Sequence, residues 1–259
     1  MTDACTAFLN AWASGDDVPT SSGAPPALVS AFTKLLTDPT IPAADVVNEA
    51  LTPPPRENAY DVQPSPPRPE IVLSMLIDAA EHLTEMTDRL ADFSEALEAH
   101  SSGEYKELVG LAMLIDEFSW HSYSRRKDRQ LWFNLNAYCA KMAAIGLPTP
   151  SHIYRGGRVL QKALETNWGQ GELSNLDGYV PAATIWIREC GSRMYQERGE
   201  LEKLPGSKWK GPATWSRERW AYWKTRFEWV TSINILKQRT REDAREAVER
   251  MSDIEERFA

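Results

Sequence analysis

The sequence has few of the residues that crosslink small secreted domains or bind structural metals. Its 259 residues include three cysteines and four histidines, and none of them forms a CxxC or HExxH motif. An odd number of isolated cysteines argues against a disulfide framework, and the missing pairs argue against a zinc site. A chain of this length buries enough surface to fold without either crosslink. We therefore expect no metal and no cofactor.

Long hydrophobic runs and a secretory leader are also absent. No window approaches the roughly 18 consecutive apolar residues that a membrane span needs. The first residues lack the basic region and apolar run of a signal sequence. A net charge of −8 and a pI near 5.2 disfavour nucleic acids and anionic membranes as partners. We expect a cytoplasmic protein, with a nuclear location not excluded.

The motifs of several large enzyme classes are missing too. The sequence contains no GxGxxG fingerprint, no GxSxG nucleophile elbow and no aspartate-rich diphosphate motif. Residues 154–158 contain two adjacent glycines, but the segment is too short and wrongly placed for a phosphate loop. Dehydrogenase, classical hydrolase and terpene-cyclase activities therefore have no support.

Helical periodicity is what the sequence does contain. Nearly every periodic segment repeats at 3.6 residues, which predicts an all-α, bundle-like domain of about nine or ten helices. Residues 52–69 hold seven prolines in 18 positions and predict an extended linker or strap. We expect short helices in residues 1–51 to dock on a main helical domain formed by residues 70–259.

A leucine stripe marks the longest predicted helix, residues 70–100. Leu76, Leu83, Leu90 and Leu97 recur every seven residues. The stripe at 76–97 could form the seam of a homodimer or the spine of an intramolecular bundle. We favour the spine, because many other amphipathic helices in the chain need a partner.

Three helix boundaries are predicted from capping residues. Pro181 is expected to open one helix, since proline suits the first helical turn. Ser216 is expected to cap another that runs to about Lys237. Thr240, with Asp243 three residues later, resembles a capping box for the last helix.

An aromatic and basic block is the most unusual feature of the sequence. Residues 203–226 carry seven Lys or Arg and one acid, a local charge of +6, and five of the ten tryptophans lie between residues 203 and 229. Trp220 and Trp223 have helical spacing and are expected in the core. Trp209 and Trp215 lie in the aromatic-basic loop (residues 203–215). They either anchor that loop or make it a lid over a ligand.

Polar residues on predicted helices supply the other candidates. Asn136 is a poor helix-interior residue, so it either bonds a neighbouring helix or points into a pocket. Glu117 and His121 share a helix face and are weak candidates for a catalytic acid–base pair, with a structural histidine as the alternative. One further candidate group consists of Arg188, Glu189 and Arg193. These residues could line an anion pocket or form solvated ion pairs.

Three blocks carry a family resemblance: residues 131–138, 182–187 and 218–224. Their order and spacing resemble a fungal family catalogued as domain of unknown function 3632, over about residues 70–235. The resemblance implies a soluble, helical, intracellular protein and supplies no catalytic residues. Because members occur in filamentous fungi, it also suggests a role in specialised metabolism.

Two classes of function remain open at this level. The first is a small-molecule-binding protein or a cofactor-independent enzyme with a pocket between the helices. Its candidate ligand-binding residues are Asn136, Trp186, Arg219, Trp220, Trp223, Trp209 and Trp215. The alternative is a non-enzymatic interaction or regulatory module that uses the aromatic-basic loop or the 76–97 stripe.

Overall fold

The computed structural model describes residues 3–20, 23–53, 66–118, 129–147 and 151–259. These residues form eleven α-helices, and their only strand-like pairing is an isolated bridge between Glu200 and Thr214. The all-α prediction is confirmed, with slightly more helices than expected. Residue contacts divide the chain into two compact units, Met1–His121 with Leu147–Thr149, and Ser122–Gly146 with Pro150–Ala259.

The first unit contains six of these helices around its own apolar core. They are α1 (Asp3–Ser14), α2 (Pro26–Thr37), α3 (Ala43–Leu51), α4 (Pro69–His82), α5 (Thr87–Glu98) and α6 (Val109–Phe118).

Two long-range side-chain contacts hold the helices of the first unit together. Trp12 on α1 is buried and donates its indole N–H to the Asp78 carboxylate on α4 at 2.6 Å. Arg89 on α5 donates to three carbonyls at and beyond the end of α2, those of Leu35, Asp38 and Ile41. A cation at this end of a helix satisfies carbonyls that have no partner within the helix.

The predicted long helix over residues 70–100 is broken in the structure. Leu83 leaves the helical conformation and a short 3₁₀ turn, Thr84–Met86, separates α4 from α5. The break lets α4 contact α1 and α6 while α5 contacts α2 and α3, which one straight helix could not do. All four stripe leucines are nonetheless buried within this unit. The stripe is therefore part of an intramolecular core.

The proline-rich run has most of its residues, 54–65, outside the described part of the chain. Helices α1 to α3, which precede it, belong to the same compact unit as α4 to α6, which follow it. The N-terminal helices therefore pack on the next part of the chain. Residues 70–259, expected to form one body, are divided between the two units.

The second unit is built on three long helices and two shorter ones. They are α7 (Arg129–Ile145), α8 (Ser151–Leu160), α9 (Leu176–Gln196), α10 (Arg217–Thr231) and α11 (Gln238–Arg257). A single π-helical turn, Gln161–Glu165, extends α8.

Helices α7, α9 and α11 run parallel to one another. Arg129 at the start of α7 bonds the carbonyl of Ser174, just before α9, and Arg193 near the end of α9 bonds the carbonyl of Ala143. Asp177 at the start of α9 accepts a hydrogen bond from Thr240 at the start of α11. The three N-termini therefore lie at one end of the unit, with α9 in contact with both neighbours.

Three predicted helix boundaries need correction. Helix α9 begins at Leu176, so Pro181 lies inside the helix in its second turn, where it has no N–H to donate to the carbonyl of Asp177. Helix α10 is capped by Ser216 as predicted but ends at Thr231, well before Lys237. The predicted capping box of Thr240 does not form, because Thr240 lies inside α11 and bonds Asp177 instead.

Two adjacent glycines let tryptophan rings lie directly on α8. A Cβ at Gly156 would lie 2.5 Å from the Trp186 ring, and one at Gly157 would lie 2.8 Å from the Trp215 ring. Any side chain here would need one of these buried rings to move. Helix packing therefore accounts for the glycine pair.

Candidate functional site

Asn136 and Trp186, both predicted to bind a ligand, instead bond each other. The Trp186 indole N–H donates to Asn136 Oδ1 at 2.8 Å, and Asn136 Nδ2 donates to the carbonyl of Trp132 on its own helix. Both side chains are buried, with exposed fractions of 1% or less. Their amide and indole groups are satisfied by protein partners. They therefore fix α9 against α7.

Arg219, another predicted binding residue, forms a buried ion pair with Glu165 of the π-helical turn. Arg219 Nε and Nη2 donate to the two carboxylate oxygens at 2.7 and 3.0 Å, and both side chains are fully buried. Trp223 Nε1 and Ser207 Oγ donate to the same carboxylate at 2.8 and 2.7 Å. Four donors therefore surround one carboxylate, which offsets the cost of burying its charge.

The same network attaches the aromatic-basic loop to the helices. Arg219 Nη1 donates to the carbonyls of Leu201 and Thr214, and the Lys208 backbone N–H donates to the carbonyl of Glu165. Hydrogen bonds to Arg219 and Glu165 therefore attach the chain just before the loop, in the middle of the loop and at its end. Glu165 is the residue that sequence reasoning missed, because a lone acid near the end of a helix resembles an ordinary surface residue.

The tryptophans of the loop and of α10 pack against protein. Trp215 is 6% exposed and meets Trp223 edge-on, while Trp209 is half-buried against Tyr222 and bonds the carbonyl of Pro212. Trp220 is buried against Tyr195. The structure thus brings Arg219 and Trp223 onto Glu165 with Trp215 beside Trp223, while Trp220 and Trp209 pack against tyrosines.

An open cleft of about 830 Å³ lies elsewhere in the second unit, along α9 between α7 and α11. None of the seven residues first predicted to bind a small molecule lines it. The half-buried Phe133 and Pro181 give it an apolar wall, and polar side chains surround that wall. The polar lining residues are Arg129, Gln130, Asp177, Thr184, Arg188, Lys237, Arg239, Thr240, Asp243, Glu246 and Arg250.

The charge of the cleft differs in sign from that of the whole chain. Five Arg or Lys and three Asp or Glu line it, a difference of +2, whereas the chain carries −8. Two of the acids are engaged. Asp177 accepts the backbone N–H of Lys237 at 3.0 Å, and Asp243 pairs with Arg239 at 2.8 Å. Burial raises the pKa of Asp243, although Arg239 opposes that shift.

One predicted anion-pocket residue does line the cleft. Arg188 faces the cleft from α9 and also forms an ion pair with Glu189 at 2.9 Å. It therefore combines a cleft position with the ion pair that was the alternative prediction. Arg193 lies away from the lining and donates to the carbonyl of Ala143. The other basic lining residues have no sequence signal, because they come together only when the three helices pack in parallel.

Glu117 and His121 give no structural support for a catalytic pair. His121 lies outside the described residues, as does the side chain of Glu117. The acid–base hypothesis therefore stays a prediction from sequence.

One group of metal-ligating side chains occurs in the described part of the first unit. Asp78, Glu81 and His82 on α4 each offer a ligand atom, and these atoms lie within 4.8 Å of one another. The group is already bonded, since Asp78 accepts from Trp12 and pairs with His82 at 3.1 Å. The hydrogen bond from the His82 ring to Asp78 raises the pKa of His82 to about 9. A metal ion would therefore have to displace a tightly held proton from that ring.

Comparison with protein-family models gives one match. A family described as a protein of unknown function, DUF3632, matches residues 73–227, more than half of the chain. The protein belongs to the DUF3632 family. No curated protein matches the chain, and no solved structure matches it.

The DUF3632 match covers the buried networks but only part of the cleft. Asn136, Glu165, Trp186 and Arg219 all lie within the matched residues, and so do the cleft residues of α7 and α9. Helix α11, which supplies the third side of the cleft, follows the match. In the described residues of this DUF3632 protein, no helix is both long and apolar enough to cross a membrane.

Proposed function

We propose that this protein binds a small molecule in the cleft along α7, α9 and α11. The observation that carries the proposal is the cleft itself. Its volume of about 830 Å³ falls in the range of small-molecule sites, and it combines an apolar wall with convergent polar groups. This is the small-molecule-binding hypothesis from the sequence, transferred to a different set of residues.

The three helices that form the cleft are fixed by buried or half-buried bonds. Trp186 and Asn136 join α9 to α7, and Asp177 and Thr240 join α9 to α11. A site on such helices is largely formed before the ligand arrives, so little binding energy is lost in ordering it. Asn136 and Trp186, first predicted to bind the ligand, thus help to hold the helices that form the cleft.

A catalytic version of the proposal would use Asp243. It is the lining carboxyl whose pKa burial raises, which is the property that a general acid needs. The pairing with Arg239 would position it. An activity screen on the bound molecule, with Asp243→Asn as the test variant, would separate catalysis from binding.

The alternative is an interaction module that binds a partner through the aromatic-basic loop. Such a module would have to contact its partner through the lysines of the loop, because the tryptophans of the loop pack against the protein itself. Trp215 is buried and Trp209 half-buried against Tyr222, whereas Lys203, Lys208 and Lys210 are exposed. The stripe leucines are buried and offer no surface for a homodimer. These observations favour the small-molecule proposal.

A thermal-shift screen of the full chain against acidic, neutral and basic metabolites tests the proposal. A ligand present at 100 times its Kd stabilises the native state by about 2.7 kcal/mol, which raises the melting temperature by several degrees. Each hit is then tested on Thr184→Phe, which places a ring in the cleft from α9. The shift should disappear in this variant.

Thr225→Phe is the matched control, because Thr225 is exposed on α10 and does not line the cleft. It should keep the shift. Hits that persist in Thr184→Phe and vanish in a variant of the aromatic-basic loop would move the site to that loop.

The cellular setting is also part of the proposal. We propose an intracellular, reducing compartment such as the cytoplasm, since the three cysteines are buried and form no disulfide with one another. A role in fungal specialised metabolism is proposed from the family resemblance. Microscopy of the tagged protein in its own cells tests the location, and metabolite profiling after gene deletion tests the role.

A further inference from the structure

The N-terminal ends of three parallel helices meet beside the cleft. Arg129 lies in the first turn of α7, Asp177 in the first turn of α9, and Lys237 directly before α11. All three residues line the cleft. The start of an α-helix carries a partial positive charge, and here three such charges add to the basic side chains.

Asp177 offsets one of the two positive side-chain charges at this end of the cleft, so an excess positive charge remains. It accepts the backbone N–H of Lys237 and the hydroxyl of Thr240, so it acts as a cap for α11 provided by α9. This cap gives the backbone N–H of Lys237, at the start of α11, a hydrogen-bond acceptor. It leaves the side-chain charges of Arg129 and Lys237 in place.

Three of the lining cations have no carboxylate partner within the described residues. No ion pair there involves the side chains of Arg129, Lys237 or Arg250. Arg129 makes one hydrogen bond, to the carbonyl of Ser174, and its buried Nε has no partner among the described residues. The cations at Arg188 and Arg239 are paired with Glu189 and Asp243.

The apolar wall sets a second requirement. Phe133 and Pro181 are half-buried and line the cleft with the cations, so a bare inorganic anion would leave this surface uncovered. A ligand with an acidic group and an apolar body would satisfy both parts. Guanidinium and ammonium groups bind carboxylate and phosphate groups through charge-assisted hydrogen bonds.

We infer that the ligand is a small organic acid whose carboxylate or phosphate group is held by Arg129 and Lys237 at the helix starts. Its apolar body lies on Phe133 and Pro181. This inference rests on the proposed function, since it names the class of ligand for the same cleft. Because the contacts are between charges near solvent, binding should weaken as salt is added.

Isothermal titration of the full chain with a matched probe series tests the inference. The probes share one phenylbutyl body: 4-phenylbutyrate, 4-phenylbutyl phosphate, the neutral 4-phenylbutyramide and the cationic 4-phenylbutylamine. We expect both acids to bind at least about tenfold more tightly than the amide, and the amine to bind least. The stronger of the two acids identifies the carboxylate or phosphate class.

Charge-removal variants place the acidic group. In Arg129→Gln/Lys237→Gln, affinity for the stronger acid should fall by about tenfold or more, while affinity for the amide stays the same. Arg245→Gln is the control, because Arg245 is exposed on α11 but does not line the cleft. It should bind the acid within about twofold of the parent.

The inference is overturned if the amide binds as tightly as the acids, or if the double variant keeps its affinity for them. It is also overturned if neither acid binds at millimolar concentration. The proposed function fails separately, when no metabolite of any charge gives a shift that Thr184→Phe removes. Neutral or basic hits that Thr184→Phe removes would keep the cleft as a binding site while excluding an acidic ligand.

Discussion

Gly156 shows how a single residue is fixed by the packing of its neighbours. Its missing side chain leaves room for the ring of Trp186, which is fully buried and held by Asn136. The ring cannot retreat without breaking that bond. From the sequence, Gly156 could be considered only as part of a phosphate loop, which the length and position of the segment argued against. Two adjacent glycines do not by themselves reveal which ring packs on them.

We predict that Gly156→Ala destabilises the protein by about 1–3 kcal/mol through overpacking. This outcome is opposite to helix propensity, which favours alanine by about 1 kcal/mol. Urea unfolding followed by circular dichroism measures the difference. Gly171→Ala is the control, because no atom lies within 4 Å of its added Cβ. A Gly156→Ala variant as stable as the parent would contradict the packing.

His82 is the residue whose titration should affect stability. Its bond to Asp78 raises its pKa to about 9, from an ordinary value near 6.5. The protonated form is therefore preferred in the folded state, so the stabilisation is complete below about pH 6.5 and is lost as the pH rises through 9. The side chain is 50% exposed, so the loss should be at most about 1 kcal/mol.

An NMR titration of the His82 ring gives its pKa directly. Urea unfolding at pH 6 and near pH 10 then gives the change in stability, with His82→Gln as the comparison. The difference in stability between parent and variant should shrink at the higher pH. A ring pKa near 6.5, or a difference that is the same at both pH values, would exclude the ion pair.

At the scale of elements, helical spacing predicted most helices and most buried faces. Trp220, Trp223 and the four stripe leucines are buried as their spacing indicated. Where the helices begin and end was less predictable. The breaks at Leu83 and after Thr231 allow neighbouring helices to pack in their own unit, and no local residue pattern specifies that.

The candidate site was less predictable still. Sequence reasoning selected the residues with unusual chemistry, and most of these are buried and satisfied by protein partners. Arg219 is an example, since its charge is used by Glu165, 54 residues earlier. The cleft depends on the parallel arrangement of α7, α9 and α11, which residues distant in the chain determine. Arg188 is the one residue of the cleft that its sequence neighbours indicated.

Glu165 joins three elements: the π-helical turn, the aromatic-basic loop and α10. We predict that Glu165→Gln destabilises the protein by about 3–5 kcal/mol, because it leaves the buried Arg219 cation without its counter-charge. Urea unfolding monitored by tryptophan fluorescence measures the loss.

Two further variants decide whether the ion pair is the cause. Glu228→Gln, on the exposed face of α10, should change stability by less than about 0.5 kcal/mol. Glu165→Gln/Arg219→Met should lose less than the sum of the two single variants, because the charges are removed together. Additive losses would show that the two residues act independently.

At the scale of the molecule, an acidic chain presents one cleft with an excess of basic side chains. The chain carries −8, and the lining of the cleft carries +2. A negative surface keeps such a protein soluble, and a local basic site can still select an acidic ligand. The DUF3632 match includes α7 and α9 but ends before α11. We therefore expect relatives that share the buried networks to differ in the side of the cleft that α11 supplies.

The most direct test of the binding site is a ¹H–¹⁵N correlation spectrum of the full chain, recorded while a hit from the thermal-shift screen is added. The account predicts amide shifts in three places: the first turn of α7, residues 177–188 of α9 and residues 237–250 beside and within α11. Shifts that instead centre on the aromatic-basic loop, or on the surroundings of Asn136 and Arg219, would contradict it.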